Sequence, residues 1–305
     1  MTFNPRIYSD NDFILQSEYR QAFKNSKLIA DFSFNQDEKN TNTHAFIDLN
    51  GQINNKTSYN LQLQNVTNDN YLKVHDFKGI QDTNTLMSNI NSSSLTSFFK
   101  IARDIDENTG LSTSLRMYED LSVTNKNDKY QYIFPDFSFY KNIDLEESYN
   151  GTFNFGSSGY QKLYNTNIYE AQVNNDFSFS SFDYIKTGLV TNYNFLLKNF
   201  NTYSENSTVF EDNADHELFG TLILNSELPL RKKLQYSTNY LKPKFQFKFS
   251  PTNGKDISSD SGRLGYDSLF SSNRIGRSDM VEEGKSLTIG LEFEKQNLTN
   301  EKLFG

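Results

Sequence analysis

The stretch Lys244–Phe249 reads KFQFKF, in which phenylalanine alternates with lysine or glutamine. Successive side chains of a β-strand point to opposite faces of a sheet, so this order places every phenylalanine on one face and every polar side chain on the other. The alternation recurs along the whole chain. In Thr57–Val66, for example, Tyr59, Leu61 and Leu63 alternate with amide side chains. No competing helical period is visible, so the pattern predicts an all-β protein.

The composition fits a sheet with one apolar face and one wetted face. The 305 residues are only 35% hydrophobic, with a mean hydropathy of -0.70, yet they include 27 Phe and 18 Tyr. Disordered chains are poor in aromatic residues, whereas a β-barrel with a water-filled interior combines apolar and polar faces. A net charge of -8 disfavours a nucleic-acid partner, which needs a basic surface. Because the chain has no cysteine, it predicts no disulfide and no zinc–thiolate site.

Strand candidates follow one another, with polar turns between them. They are Asp12–Arg20, Lys27–Phe34, Thr43–Ile53, Thr57–Val66, Thr85–Lys100, Leu111–Glu119, Tyr130–Lys141, Tyr149–Phe155, Ile168–Ser180, Tyr184–Lys198, His216–Glu227, Leu234–Phe249 and Ser286–Glu294. At the usual length of tilted membrane strands we expect roughly 13–16 strands. The longer polar stretches, which predict loops, are Gln36–Asn42, Ile101–Thr109, Asn199–Asp215 and Thr252–Met280. Mostly short connections favour an antiparallel meander.

Alternation alone leaves the class of β-protein open. A soluble β-sandwich or a β-rich adhesin shows the same pattern as a membrane barrel. Length favours a closed structure, because so large a sheet without helices must close or split to hide its edges. No stretch is apolar enough for a membrane helix. The first residues, MTFNPRIYSD, do not resemble a signal peptide, so for an exported protein we expect the signal upstream and a fragment boundary here.

Five regions, taken in order, carry a resemblance to a known family. They are Phe3–Tyr8 (FNPRIY) with Ser17–Arg20 (SEYR), Leu63–Phe77 (LQNVTNDNYLKVHDF), Tyr130–Phe139 (YQYIFPDFSF), Leu241–Pro251 (LKPKFQFKFSP) and Tyr266–Glu294 (YDSLFSSNRIGRSDMVEEGKSLTIGLEFE). Together they resemble the barrel domain of the outer-membrane lipopolysaccharide-assembly protein family (LptD, also called the organic solvent tolerance family). The last match is the longest and the most specific.

This resemblance implies an antiparallel transmembrane β-barrel in the cell outer membrane. Residues 1–305 would be a single-domain fragment that lacks the signal peptide, the N-terminal periplasmic domain, the first barrel strand and the last several strands, and we expect it not to close by itself. The implied role is that of a translocon component, not an enzyme. It inserts lipopolysaccharide into the outer leaflet through a polar lumen and a lateral gate.

The implied partners follow from that role. They are lipopolysaccharide, outer-membrane lipids, an LptE-like lumen-plug lipoprotein and, through the missing N-terminal domain, a periplasmic lipopolysaccharide-bridge protein. No catalytic residue, cofactor or metal is expected. Many family members carry cysteines whose disulfides join barrel and periplasmic domain, and this chain has none. Arg277 and Ser278 are inserted in the family spacing between Gly276 and Asp279, so we expect a differently shaped loop.

Pro5 is the candidate lateral-gate residue. Proline cannot donate a backbone hydrogen bond, so it belongs at sheet edges or in weak pairings. From the residues alone, Pro5 indicates a strand start near the chain end. The resemblance aligns it with a proline near the seam of the barrel, where a lost backbone bond eases the exit of lipid.

Four further groups of residues have a plain structural interpretation. Asp69, Tyr71, Asp76 and Phe77 are interpreted as turn residues and an aromatic girdle, because no histidine or serine with the geometry of a nucleophilic site accompanies the two carboxylates. Asp267, Asp279, Glu282 and Glu283 lack EF-hand spacing, and we expect a solvated loop that contacts the lumen plug. His44, His75 and His216 lack zinc-site spacing. Arg231, Lys232 and Lys233 indicate a solvated turn, with contact to lipopolysaccharide phosphates left open.

Two alternatives remain at this point. One is a general outer-membrane porin or transporter barrel, which would need a plug or constriction loop of its own. The other is a soluble β-rich adhesin, which would not depend on a membrane.

Overall fold

The computed structural model describes residues 1–7, 13–36, 41–78, 93–123, 129–145, 149–164, 167–252, 265, 268–271, 273–274, 276–277 and 280–297. In these residues the protein is almost entirely antiparallel β-sheet, which confirms the all-β prediction. The strands are β1 (Thr2–Ile7), β2 (Phe13–Ala22), β3 (Ser26–Gln36), β4 (Thr41–Asn54), β5 (Thr57–Val66), β6 (Ser94–Asp106), β7 (Thr109–Asp120), β8 (Tyr130–Asp144), β9 (Gly151–Tyr164), β10 (Tyr169–Ser181), β11 (Tyr184–Lys186), β12 (Leu189–Glu205), β13 (Asn213–Glu227), β14 (Leu230–Lys233), β15 (Ser237–Ser250) and β16 (Gly284–Asn297).

One short helix, α1 (Tyr71–His75), interrupts the strands. The sequence interpretation contained no helix, so this element is a correction. A helix of one turn leaves no periodic pattern to recognise, and it is held by packing that the sequence alone does not show. Within the part of the chain that is described, no helix has the length and apolarity to cross a membrane.

The sheet is a meander, as predicted from the short connections. Strands that are consecutive in the chain are neighbours in the sheet from β1 to β10, and the order continues through β12, β13 and β15. The two short strands extend hairpins, since β11 pairs with β12 and β14 pairs with β15. The last strand, β16, pairs with β15 along its whole length.

Connections along the first eight strands alternate between short and long. The short ones are 23–25, 55–56 and 107–108, and the long ones are 8–12, 37–40, 67–93 and 121–129. This is the alternation that membrane barrels show between their two rims.

Two predicted loops are wrong. Ile101–Thr109 was expected to connect strands, but β6 continues to Asp106 and β7 begins at Thr109. Similarly, most of Asn199–Asp215 lies in β12 and β13, with residues 206–212 between them. In both cases the polar side chains belong to strands with polar faces, which composition cannot distinguish from loops.

The chain divides into two compact units. The first comprises Met1–Tyr140, Ser158–Val173 and Thr202–Asp215, and the second comprises Lys141–Ser157, Asn174–Asn201 and His216–Gly305. The buried apolar cluster of the first unit consists of Ile14, Ile29, Phe46, Val66, Tyr71, Leu72, Phe77, Leu95 and Leu121. In the second unit the buried apolar residues include Phe219, Ile223, Met280 and Val281.

In strands β15 and β3 the polarity of the two faces is the reverse of that usual in a water-soluble protein. In β15 of the second unit, Phe245 and Phe247 are 39% and 37% exposed, whereas Gln246 and Lys248 are each 1% exposed. Strand β3 of the first unit repeats the arrangement with exposed Phe32 and Phe34 and with buried acidic, hydroxyl and amide residues between them. The predicted alternation is therefore present, but the polar face is the buried one.

The exposed apolar side chains of the second unit form a continuous surface. Phe247 lies opposite Leu224 on one neighbouring strand and Leu287 on the other, and Phe245 lies opposite Ile289. Leu287, Ile289, Leu291 and Phe293 of β16 are each more than half exposed. Because cross-strand partners share a face, these residues belong to a single apolar surface.

Candidate functional site

Residues 67–78 cover the polar face of β2, β3 and β4 in the first unit, and we call them the cover segment. The segment turns through Asn68, forms α1 and leaves it at Asp76, which has a left-handed backbone with φ of 41°. Tyr71, Leu72 and Phe77 point into the apolar cluster and are almost fully buried. The aromatic-girdle interpretation of Tyr71 and Phe77 is therefore wrong, because these rings pack inside the unit.

A chain of hydrogen bonds joins the cover segment to the strands below it. Ser33 lies directly opposite His44 in the β3–β4 ladder, and Asp31 is two residues along the same face of β3. The hydroxyl of Tyr71 is 2.8 Å from Ser33 Oγ, which is 2.6 Å from His44 Nδ1. His44 Nε2 is 2.8 Å from Asp31 Oδ1.

Donors and acceptors in this chain can be assigned from its chemistry. An ionised Asp31 carboxylate only accepts, so His44 Nε2 donates to it. In the neutral imidazole, Nδ1 then accepts from the Ser33 hydroxyl, whose oxygen accepts from Tyr71. Gln16 Nε2 also donates to Asp31 Oδ1, at 3.0 Å. Gln16, Asp31, Ser33 and His44 therefore each have a hydrogen-bond partner within the protein.

The residue types Ser33, His44 and Asp31 are also those of nucleophilic catalysis. Here the serine is buried, and its hydroxyl is hydrogen-bonded on one side to Tyr71 and on the other to the imidazole. The Phe77 ring stacks edge-on to His44 with 4.7 Å between ring centroids. A substrate has no approach to Ser33 in this state, so the arrangement holds the cover segment in place.

Backbone atoms of the cover segment are bound as well. Gln16 Nε2 donates to the carbonyl of Lys78 at 3.0 Å, and Arg6 Nη1 donates to the carbonyl of His75 at 3.0 Å. The Arg6 guanidinium also lies 5.5 Å from the centre of the Phe77 ring, within cation–π range. Strands β1 and β2 thus bind the end of the segment. Their two hydrogen bonds go to backbone carbonyls and do not depend on which side chains stand at positions 75 and 78.

The start of the cover segment is tied down by an ion pair. Lys129 Nζ lies 2.8 Å from Asp69 Oδ1 and 2.8 Å from Glu119 Oε1 in β7. Although burial by itself lowers the pKa of Lys129, the hydrogen bonds to Asp69 and Glu119 outweigh it and raise the pKa above its ordinary value. Asp76 instead pairs with Lys78 at 3.1 Å in a highly exposed position. The two aspartates therefore have separate basic partners.

In the second unit, the described residues between 268 and 283 also pack against a polar strand face. The ring of Phe270 lies against Gly290, where an added Cβ would come within 2.7 Å of the ring. Gln246 Nε2 donates to the carbonyl of Phe270 at 2.8 Å and to Asn225 Oδ1 at 2.9 Å. Met280, ten residues further along the chain, is also buried. This region thus has an attachment of its own to β15 and β16.

A charged cluster fixes the same region. Glu282 accepts hydrogen bonds from both Nε and Nη2 of Arg274, the former at 2.8 Å, and from Lys248 Nζ at 3.2 Å. Arg274 Nη1 reaches Thr288 Oγ1 at 3.4 Å. Burial by itself raises the pKa of Glu282, but the hydrogen bonds and charges of Arg274 and Lys248 outweigh it and hold the pKa below its ordinary value.

The prediction of a solvated acidic loop is therefore wrong for Glu282, which is an ion-pair residue with a side chain only 24% exposed. Glu283 is exposed, as predicted. Asp267 and Asp279 lie outside the described residues, as does Ser278. The sequence could not single out Glu282, because its partner Lys248 lies on the distant strand β15.

Pro5 occupies the middle of β1, opposite Leu15 of β2. Its side chain is on the exposed face of the strand together with Phe3 and Ile7. Strand β1 stands at the start of the strand order, where proline is tolerated. The assignment of Pro5 to a lateral gate stays a prediction.

The remaining basic residues have simple environments. Arg231–Lys233 form part of strand β14, so the predicted turn is wrong, although all three are exposed. His216 Nδ1 is 2.9 Å from Asn201 Oδ1 on an exposed face. The His75 ring packs edge-on to Tyr71 at 5.2 Å. Of the three histidines, His44 is the one at the centre of a buried polar cluster.

Comparisons with known proteins give little further information. No family model matches the chain, and no curated protein matches it. Among solved structures, the chain is similar to a bacterial polysaccharide outer membrane secretin, with a TM-score of 0.34 and 9% sequence identity over 94% of this chain and 80% of that one. A TM-score of this size carries no argument about fold or function.

Proposed function

We propose that this chain is part of a transmembrane β-barrel of the cell outer membrane and acts as a translocon component that inserts lipopolysaccharide into the outer leaflet. The observation that supports the membrane location is the reversed polarity of the sheet. Phe245 and Phe247 face outward, while Gln246 and Lys248 are buried. Lipid-facing and interior-facing residues of outer-membrane barrels alternate in this sense.

Strand length and surface character support the same proposal. Apart from β1, β11 and β14, the described strands contain 10 to 17 residues, and a tilted strand needs about 9–11 residues to cross a membrane. In water, a continuous exposed surface such as that of Phe247, Leu287 and Ile289 would be an aggregation liability. In a bilayer it is the stable contact with lipid.

The lipopolysaccharide role is the finer part of the proposal. Its support is the resemblance of Leu241–Pro251 and Tyr266–Glu294, with the other matching segments, to the lipopolysaccharide-assembly family. In that role the polar face accommodates the sugar part, and acyl chains leave sideways near Pro5. The expected partners are lipopolysaccharide, outer-membrane lipids, a lumen-plug lipoprotein and a periplasmic bridge protein. The protein is proposed to act without enzymatic chemistry.

Depletion of the protein in its host tests this role. We expect newly made lipopolysaccharide to accumulate in the periplasm and inner membrane, while the protein itself fractionates with the outer membrane. Normal surface lipopolysaccharide after depletion would reject the assembly role. Recovery of the protein in the soluble fraction would reject the membrane location as well.

A second candidate function is a channel or transporter barrel that carries its own constriction. The observation that favours it is the cover segment, which lies on the polar face through Tyr71, Leu72 and Phe77. Solute flux through vesicles that contain the purified protein, with normal lipopolysaccharide export in depleted cells, would select this function over the first.

A further inference from the structure

We propose that the cover segment, residues 67–78, is a gate: in the described state it closes the polar face of β2–β4, and its release opens that face to polar solutes. This inference rests on the proposed membrane function, because the polar face then lines the pathway. It goes beyond that function by naming the moving element and the contact that holds it.

The surface below the segment is suited to two states. Gln16, Asp31, Ser33 and His44 are all almost completely buried, and each is hydrogen-bonded in the closed state. The same wall contains the apolar residues Ile14, Ile29 and Phe46, and a wall whose only task was to pack a helix would consist of such residues alone, since buried polar groups need partners. Polar groups can exchange these partners for water when the segment leaves, so the cost of opening comes mainly from the apolar contacts of Tyr71, Leu72 and Phe77.

The segment itself is held by contacts and not by regular structure. Helix α1 contains 5 residues, and an isolated helix of that length is not stable in water. Its position therefore depends on a few attachments to the strands. The Tyr71 hydroxyl is the one that joins the hydrogen-bond chain through Ser33. Removing it leaves the Ser33–His44 and His44–Asp31 bonds in place, so Tyr71→Phe weakens the closed state selectively.

The absence of cysteine allows a direct test. Single thiols are placed at Leu72, which is buried, and at Val74, which is 69% exposed on the same helix. In the full chain folded in detergent, a water-soluble maleimide should label Leu72→Cys at least about tenfold more slowly than Val74→Cys, because labelling of the buried thiol requires local opening. The ratio of the two rates cancels differences in reagent and pH.

Adding Tyr71→Phe should raise the labelling rate of Leu72→Cys about fivefold, because the loss of one net hydrogen bond of about 1 kcal/mol shifts the opening equilibrium by that factor. The labelling rate of Val74→Cys should stay unchanged. Tyr203→Phe is the matched control, because its hydroxyl is bonded to Glu205 on an exposed face of β12. Circular dichroism must show unchanged strand content. If Tyr71→Phe does not fold, Lys129→Met removes the separate attachment at Asp69 and serves the same purpose.

Flux measurements complete the test. Vesicles that contain Tyr71→Phe should admit a small neutral sugar faster than vesicles with the parent or with Tyr203→Phe. Equal labelling of Leu72→Cys and Val74→Cys in the parent, or faster labelling without faster flux, would overturn the gate. Failure to insert into vesicles would instead reject the proposed membrane function, and normal lipopolysaccharide export in depleted cells would reject only the assembly role.

Discussion

Glu282 shows how a single residue stabilises an otherwise irregular region. Its carboxylate binds both Arg274 and the buried Lys248 of β15. Replacing one partner of a buried charge cluster is costly because the other charges remain in a poorly solvated place. The described residues between 268 and 283 are therefore attached to the sheet partly through this carboxylate, beside the contacts of Phe270.

We expect Glu282→Gln to lower the free energy of unfolding by about 2 kcal/mol at neutral pH. Urea unfolding of the protein folded in lipid vesicles measures this change. Glu294→Gln, at an exposed position of β16, is the control and should change stability by less than about 0.5 kcal/mol. A loss of the same size in both variants would contradict the role of the cluster.

The pH dependence of stability has a definite sign. The pKa of Glu282 in the folded protein is below its ordinary value of 4.5. Its ionised form therefore contributes stability above the unfolded pKa, and this contribution is lost as pH falls through the lower folded pKa. On acidification below pH 4.5, the parent should lose stability more steeply than Glu282→Gln. Parallel curves would show that the carboxylate contributes nothing to acid sensitivity.

The position of Pro5 within β1 bears on the proposed lateral gate. Replacing it with alanine restores a backbone N–H in β1, which can strengthen strand pairing near the proposed seam. In the full-length protein at limiting expression, we expect Pro5→Ala to slow the appearance of lipopolysaccharide at the cell surface. Phe3→Ala, on the same face of β1, controls for loss of side-chain contact. Unchanged lipopolysaccharide export in Pro5→Ala would contradict a role of Pro5 in the lateral gate.

At the scale of elements, the cover segment depends on tertiary packing. Phe77 contacts His44, Tyr71 and the Arg6 guanidinium. Truncation of a buried phenylalanine to alanine costs about 3 kcal/mol through lost contacts and a cavity. We therefore expect Phe77→Ala to release α1 while the strands stay paired.

Hydrogen exchange checks this expectation. Amides of residues 71–75 should exchange much faster in Phe77→Ala, and those of β3 and β4 should keep most of their protection. Phe34→Ala, whose side chain is exposed on the other face of β3, is the matched control. Uniformly faster exchange in all three elements would mean that the segment does not open as a separate unit.

The strands could be predicted from the sequence because alternation is local. The six residues KFQFKF are enough to predict a strand, and in β15 Phe245 and Phe247 do lie on the face opposite to Gln246 and Lys248. The polar cluster could not be predicted in this way. Its prediction requires the strand register that places Ser33 opposite His44. It also requires the knowledge that Tyr71, in the connection between β5 and β6, packs back onto β3. The same limit applies to residues 101–109, where a polar strand face was interpreted as a loop.

At the scale of the whole molecule, the proposed membrane location would make the bilayer part of the folding reaction, because apolar side chains such as Phe247 are exposed on its surface. Phe247→Lys places a charge on that surface, and such a change near the middle of a bilayer costs about 2–4 kcal/mol. We expect this loss when the protein unfolds from vesicles. Tyr236→Lys, which lies in the connection between β14 and β15, should cost far less. If Phe247→Lys were neutral, or improved recovery in plain buffer, the soluble adhesin would become the better hypothesis.

Two buried glutamines make the same kind of hydrogen bond, and this bond bears on which positions of the protein tolerate substitution. Gln16 in the first unit and Gln246 in the second each donate a side-chain amide to a main-chain carbonyl of the segment packed on their strand. Every residue type offers that carbonyl, so these two hydrogen bonds do not depend on which side chain stands at position 78 or 270. Each covering segment is thus held in part by a hydrogen bond that is independent of its own side chains. Exposed positions such as Lys78 can therefore change freely, whereas side chains that pack on the strands, such as Phe77 and Phe270, cannot.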